Sequence, residues 1–259
     1  MENTLNIYLF FLLAVLGSVL GSTLDCTASR FAMDKSLPTG RSRCDSCKTT
    51  LGVRDLIPIF SFLFHKGKCR FCGAKIPIDC LISEVLGVLL FLSLGFRFGF
   101  GLELVMWLIA GSVLLLLGLI DQKTYLLPDK LLLFLVLNRI LFVFILGQPL
   151  LQTFKTMLIG AFSVSLPLLI IVLVFEFILK KEAMGGGDIK LLFVMGLYLT
   201  WDKMLLVLII SCFVALVCIA FMKNKNKQIP FGPFLAIAWL LVVLFGEKII
   251  NFYISLVFN

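Results

Sequence analysis

The stretch LELVMWLIAGSVLLLLGLID, residues 102–121, decides the fold class. No charge falls between Glu103 and Asp121, a run long enough to cross about 30 Å of hydrocarbon as a helix and too long for an ordinary strand. Working outward, comparable apolar runs recur at 7–25, 80–98, 131–147, 156–179, 189–201, 204–222 and 231–254. About eight transmembrane helices are therefore expected, those at 131–147 and 189–201 being short. The whole chain of 259 residues is 61% hydrophobic and 15% charged, with a mean hydropathy of +1.10. Soluble domains carry about 25% charged residues, so a water-soluble globule is excluded, and so is a disordered chain. Unbroken apolar runs, rather than alternation, also exclude an outer-membrane barrel. The fold class expected is an all-α polytopic membrane protein with one small polar domain.

The formal charge of +8 reads as topology. Eighteen of the 23 Lys and Arg residues fall in the segments 26–79, 121–130, 180–190 and 223–228, which alternate with connections that are nearly free of them. The positive-inside rule then puts both termini outside and the long 26–79 segment in the cytosol, with no nucleic-acid partner needed to explain the basic balance. Residues 1–6 lack a basic n-region, so a cleaved signal peptide is not expected. The chain divides into a first transmembrane helix (1–25), a cytosolic four-cysteine domain (26–79) and a transmembrane helical domain (80–259).

Residues 26–79 are near the size that needs a staple to fold in water. Cys44-Asp-Ser-Cys47 and Cys69-Arg-Phe-Cys72 supply one. Two residues between cysteines let one turn aim both thiolates at a single ion, and two such turns complete a tetrahedron. A cytosolic location disfavours disulfides. Cys44, Cys47, Cys69 and Cys72 are thus expected to bind zinc, in a structural site, because four thiolates leave no position for water. Gly67 and Gly73 suit the turns, and His65 between the knuckles is read as a surface residue.

Two acids stand out against the apolar background. Asp121 ends the run quoted above, where an unpartnered carboxylate is costly at the hydrocarbon boundary. Asp188 follows Gly185-Gly186-Gly187 at the start of another apolar run, on the same side of the membrane by the charge count. A glycine costs about 1 kcal/mol against alanine inside a helix, so Gly185, Gly186 and Gly187 are read as shaping backbone that turns sharply or approaches a substrate, with Gly185 and Gly187 as site-shaping candidates. An N-cap role alone would account for Asp188. If the two helices adjoin, however, Asp121 and Asp188 can share a proton and act on a water and a carbonyl as general base and acid. Glu84, near the start of the second run, and Lys190 are further candidates for shaping the site. The Pro230-Phe231-Gly232-Pro233 turn reads equally well as a plain helix entry.

Taken together these stretches resemble the type IV prepilin peptidase family, membrane aspartic proteases of the GxGD type. The resemblance is carried by Gly21 through Arg30, by Gly40 through Cys47 with Asp55-Leu56-Ile57-Pro58 and Gly67 through Gly73, by Asp121 through Asp129, by Gly185 through Lys190, and by Pro230 through Pro233. It implies cleavage of a basic leader from type IV prepilins or pseudopilins at the cytosolic face of the bacterial inner membrane, with Asp121 and Asp188 as the catalytic acids. It also implies N-methylation of the new N-terminal residue with S-adenosylmethionine as donor, a role that the four-cysteine domain supports. Two departures bear on the methyl-donor side: Ile76 through Glu84 lacks a Tyr-Pro pair common in the family, and Asp25 stands where Asn is frequent. Two readings from other classes compete. One is a proton-coupled transporter using Asp121 and Asp188 as a relay, which would want its acids deep within the spans. The other is a membrane-anchored zinc module that recruits a partner, which leaves the glycine run unused.

Overall fold

A computed structural model describes residues 2–33, 43–44, 46–180, 184–221 and 229–258. Gly40, Arg41, Ser42 and Asp45 of the expected motif, and the basic residues of 181–183 and 223–228, lie outside the described residues. Among the described residues the chain is helical, with isolated bridges and no strand. The helices are α1 (Glu2–Phe31), α2 (Phe60–Phe64), α3 (Ile78–Phe98), α4 (Leu102–Thr124), α5 (Asp129–Ile145), α6 (Leu150–Leu179), α7 (Gly186–Gly196), α8 (Trp201–Phe221) and α9 (Gly232–Phe258). Each of the eight apolar runs forms a helix, and among the described residues six helices, α1, α3, α4, α6, α8 and α9, are long and apolar enough to cross a membrane. At 17 and 11 residues, α5 and α7 are shorter. The chain separates into two compact units, Met1–Leu104 and Val105–Asn259.

The first unit is built on the pairing of α1 with α3. Gly17 and Gly21, four residues apart on one face of α1, meet Gly87 and the Ser83–Glu84 backbone of α3. A Cβ on Gly17 would stand 2.9 Å from the Gly87 carbonyl carbon, and one on Gly21 would stand 2.9 Å from the Glu84 Cα. Small residues at this spacing let helix backbones touch, which is how helices associate where no hydrophobic effect drives them together. Phe10 extends the seam by stacking on Phe96 at 4.2 Å between ring centroids. The rest of α1 shows bare apolar side chains: Leu5, Ile7, Tyr8 and Phe11 are all more than half exposed. In water that surface would be prohibitive, whereas against lipid it costs nothing.

The second unit encloses α7. Ile189, Leu191, Leu192, Val194 and Met195 are buried, although the helix has only 11 residues. Gly196 and Gly160 bring α7 and α6 to backbone contact, since a Cβ on Gly196 would stand 2.6 Å from the Ala161 Cα. At the far end of α7, Arg139 of α5 donates from Nε to the Leu197 carbonyl at 3.1 Å, placing a cation where a helix leaves its last carbonyls unpaired. Tyr198 donates to the Leu135 carbonyl at 2.7 Å and accepts from Asn138 Nδ2 at 2.9 Å. Trp107 and Trp239 pack on the same ring at 5.9 and 6.2 Å. These contacts pin one end of α7 to α5, and Asp188 occupies the other end.

Candidate functional site: a pair of aspartates and a four-cysteine centre

Asp121 lies in the last turn of α4 and is 5% exposed. A carboxylate buried this deeply needs donors, and the backbone supplies one: the Gly232 N–H, at the first residue of α9, donates to Asp121 Oδ2 at 2.8 Å. Only glycine lets the two approach so closely, because a Cβ at position 232 would stand 2.8 Å from Oδ2 and 3.2 Å from Cγ. The Pro-Phe-Gly-Pro turn is therefore more than a helix entry, and nothing in its sequence named the carboxylate that it meets. One helical turn back, Gly118 makes room for Pro233, whose Cα would lie 3.3 Å from an added Cβ. These two glycines bring the end of α4 against the start of α9.

Asp188 is half-buried in the first turn of α7 and lies within electrostatic range of Asp121. The two acids that the sequence singled out, 67 residues apart, are thus near enough to influence each other's charge. Asp188 is not the N-cap. Gly185 holds that place in extended conformation, and its carbonyl accepts the Asp188 N–H at 3.0 Å. Gly186 and Gly187 are already helical, so the expectation of sharply turned backbone holds for neither. What Gly187 provides is room, since a Cβ there would meet Leu127 Cβ at 3.2 Å, whereas nothing lies near Gly186. Lys190, one turn further on, reaches Asp129 Oδ1 at 2.8 Å. Both partners are exposed, and such pairs contribute little to stability.

The first unit holds the cysteines. The two knuckles have the same backbone design. Cys44 N–H donates to the Thr49 carbonyl at 3.0 Å and Lys48 N–H to the Cys44 carbonyl at 2.9 Å. In the second knuckle Cys69 N–H donates to Ala74 at 2.8 Å and Gly73 N–H to Cys69 at 2.9 Å. The residue after each pair has positive φ, 58° at Lys48 and 71° at Gly73, so the turn expected of Gly73 is made by a lysine in the other knuckle. The four Sγ atoms lie within 4.8 Å of one another, and Cys44 Sγ is 3.9 Å from Cys72 Sγ. Tetrahedral zinc with Zn–S bonds of about 2.3 Å wants sulfurs roughly 3.8 Å apart, so the donor set fits such an ion. Hydrogen bonding from Thr49 lowers the Cys47 thiol to about 6. At Cys72 an opposing hydrogen bond from the Ala74 backbone is outweighed by desolvation and the neighbouring sulfurs, which push the thiol up to about 11. Four thiolates crowded without a cation repel one another, and a divalent ion removes that repulsion.

Glu84 sits in the first unit, with its carboxylate buried in α3. Its Oε2 accepts the Ile59 N–H at 2.6 Å. Ile59 has φ 61° and ψ −54°, and the Phe60 N–H returns to the Pro58 carbonyl at 2.6 Å. This is a tight three-residue γ-turn of the rare, strained hand, all the costlier for a β-branched residue. The carboxylate of Glu84 thus fastens a strained turn that starts α2. His65 is partly exposed and is not one of the clustered ligands, and its Nε2 stands 3.6 Å from Asp55 Oδ1.

Comparisons with known proteins decide what these groups belong to. Residues 15–98 match the model of the bacterial peptidase A24 N-terminal domain, and residues 108–221 match the type IV leader peptidase family. A Bacillus subtilis (strain 168) protein named prepilin leader peptidase/N-methyltransferase is 32% identical over 251 residues, covering 95% of this chain and 98% of its own length. The chain belongs to the type IV leader peptidase family. Proteins of the same name from Aeromonas salmonicida (strain A449) and Pectobacterium carotovorum subsp. carotovorum are 34% and 32% identical, covering 85% and 87% of this chain and 76% and 89% of their own lengths. No solved structure matches. The relay of a proton-coupled transporter finds no support among these leader peptidase relatives.

Proposed function

We propose that this chain is a membrane aspartic endopeptidase that removes the basic leader from type IV prepilins or pseudopilins and then methylates the freed N-terminus. The observation that carries the reading is the electrostatic reach of Asp121, at the end of α4, to Asp188, at the start of α7, in a chain of this family. One carboxylate, as general base, takes a proton from a water held between the pair. The water oxygen then attacks the scissile carbonyl, whose oxygen receives a proton from the other carboxyl. Collapse of the tetrahedral intermediate breaks the C–N bond, and the leaving amine takes the proton that the base had gained. The Gly232 N–H holds Asp121 at its post during both transfers. Gly185 and Gly187 keep the approach to Asp188 open, and Lys190 pairs with Asp129 at the surface.

The charge asymmetry supports placing the pair at the cytosolic face of the bacterial cytoplasmic membrane. Both termini then lie outside, and α5 and α7 bring the number of membrane helices to eight. The apolar helix of a prepilin can lie in lipid beside the enzyme, while its basic leader is drawn to an acidic site. No nucleic-acid partner is proposed. The polar segment between α1 and α3, which the sequence bounds at 26–79 although α1 runs on to Phe31 and α3 starts at Ile78, lies in the cytosol and holds structural zinc on Cys44, Cys47, Cys69 and Cys72. In the second reaction S-adenosylmethionine supplies a methyl group from its sulfonium to the amine, the C–S bond breaking as the N–C bond forms and the amine losing a proton to water. Mass spectrometry of a co-expressed prepilin tests both steps. The expected product lacks the leader and carries one added methyl at its new N-terminus, and an intact leader would overturn the peptidase reading.

A further inference from the structure

The polar segment between α1 and α3 presents an apolar face that the described residues leave uncovered. Phe60, Leu63 and Phe64 fall at i, i+3 and i+4 on one side of α2 and are 60%, 61% and 82% exposed. Phe62 turns the other way and packs on Gly67, where an added Cβ would stand 2.9 Å from its Cζ. Ile57, just before the helix, extends the exposed face. On a domain surrounded by water, a patch of this kind marks an interaction surface. Its rim is basic. Arg54 and Arg70 line the same open hollow as Phe60 and Phe64. From Arg43 to Lys75 the chain carries seven Lys and Arg residues, all exposed, against two acids.

The height of this face relative to the membrane is fixed by α3. The Ile59 N–H, at the turn that opens α2, donates to Glu84 Oε2 at 2.6 Å. Glu84 lies six residues beyond Ile78, the first of α3, which is about 9 Å along the axis at 1.5 Å per residue. With 21 residues α3 is about 31 Å long, little more than the hydrocarbon thickness, so its start stands close to the membrane boundary. A turn bonded to Glu84 is therefore held at the level of the lipid headgroups. We propose that α2 is an interfacial helix: Phe60, Leu63 and Phe64 enter the boundary between headgroups and acyl chains of the bilayer that α1 and α3 cross. Interfacial helices bury their apolar face by about 5–10 Å, the depth that the bond to Glu84 sets. The guanidinium groups of Arg54 and Arg70, beside the two phenylalanines, are placed for lipid phosphates, and an anionic leaflet attracts the remaining basic residues. Cys69 follows Phe64 by five residues, so the four-cysteine centre is held against the membrane surface rather than carried free on linkers. The inference requires α1 and α3 to be membrane helices and stands apart from the peptidase reading.

Fluorescence of full-length Phe64→Trp in vesicles of phosphatidylethanolamine and phosphatidylglycerol tests this, with the signal of Trp107, Trp201 and Trp239 subtracted by measuring the wild type in the same lipid. Phe64 is too exposed for the change to disturb packing, so zinc content and melting temperature should match the wild type. Lipids brominated on their acyl chains should quench about half or more of the reporter's emission, and aqueous acrylamide should quench little of it. In a Phe60→Trp protein, adding Phe64→Asp should lift α2 toward water and exchange the two responses. A position-64 reporter quenched by acrylamide and untouched by brominated lipid would overturn the proposal. Shielding from both quenchers would overturn it as well, because protein rather than lipid would then cover the face. Unchanged lipid quenching of Phe60→Trp after Phe64→Asp would also contradict it.

Discussion

Gly232→Ala tests the contact that the sequence could not announce. The added Cβ would sit 2.8 Å from Asp121 Oδ2 and 3.2 Å from Asp121 Cγ, closer than van der Waals contact allows. The carboxylate must then swing away from the Gly232 N–H and lose the 2.8 Å hydrogen bond that holds it. Hydrogen bonds to a charged group contribute about 1.5–3 kcal/mol. If that bond serves to place Asp121 against the water, its loss should lower the cleavage rate roughly ten- to 150-fold, at about 1.4 kcal/mol per decade. Position 232 begins a helix and has no positive φ, so alanine strains no backbone there, and helix propensity favours it. The loss should accordingly appear in kcat for a prepilin substrate in detergent, with a modest fall in melting temperature and zinc content near wild type. Cleavage by Gly232→Ala within twofold of wild type would refute the reasoning, because a catalytic Asp121 could not tolerate that displacement.

Other outcomes separate the glycines and the metal. Gly186→Ala, with nothing near its Cβ and a helical backbone, should cleave at the wild-type rate, whereas Gly187→Ala, which presses on Leu127 at 3.2 Å, should cleave several-fold more slowly in the same assay. Replacing Cys44 and Cys47 with Ser should remove the metal and loosen residues 43–80, read by elemental analysis and limited proteolysis. Wild-type protein purified without zinc would contradict the four-thiolate assignment. Because the ligands must be deprotonated, zinc should be retained at neutral pH and released as the pH falls.

How much of this was legible in the sequence depended on whether a feature announced itself locally. Helix positions followed from uninterrupted apolar runs, and the cysteine spacing foretold four sulfurs within 4.8 Å. The Asp121–Asp188 proximity was legible because an acid at the edge of a 17-residue uncharged run has few bland explanations. Long-range pairings to backbone were not legible. The Gly232 N–H reaches an acid 111 residues away, and Glu84 reaches the Ile59 N–H across 25. No residue pattern encodes either, because a backbone donor has no side-chain identity to read. The glycine run shows a subtler limit. Propensity argued for irregular backbone at Gly186 and Gly187, but tertiary packing that buries Ile189, Leu191 and Leu192 extends α7 through both.

The most direct test of the account is cleavage of a prepilin by purified Asp121→Asn and Asp188→Asn. Asparagine keeps the shape of each side chain and its ability to accept a hydrogen bond, but it can neither take up nor release the catalytic proton. Each variant should remain folded in the membrane with its zinc and remove no leader. Full processing by either one would show that the two acids at the end of α4 and the start of α7 are not the catalytic pair.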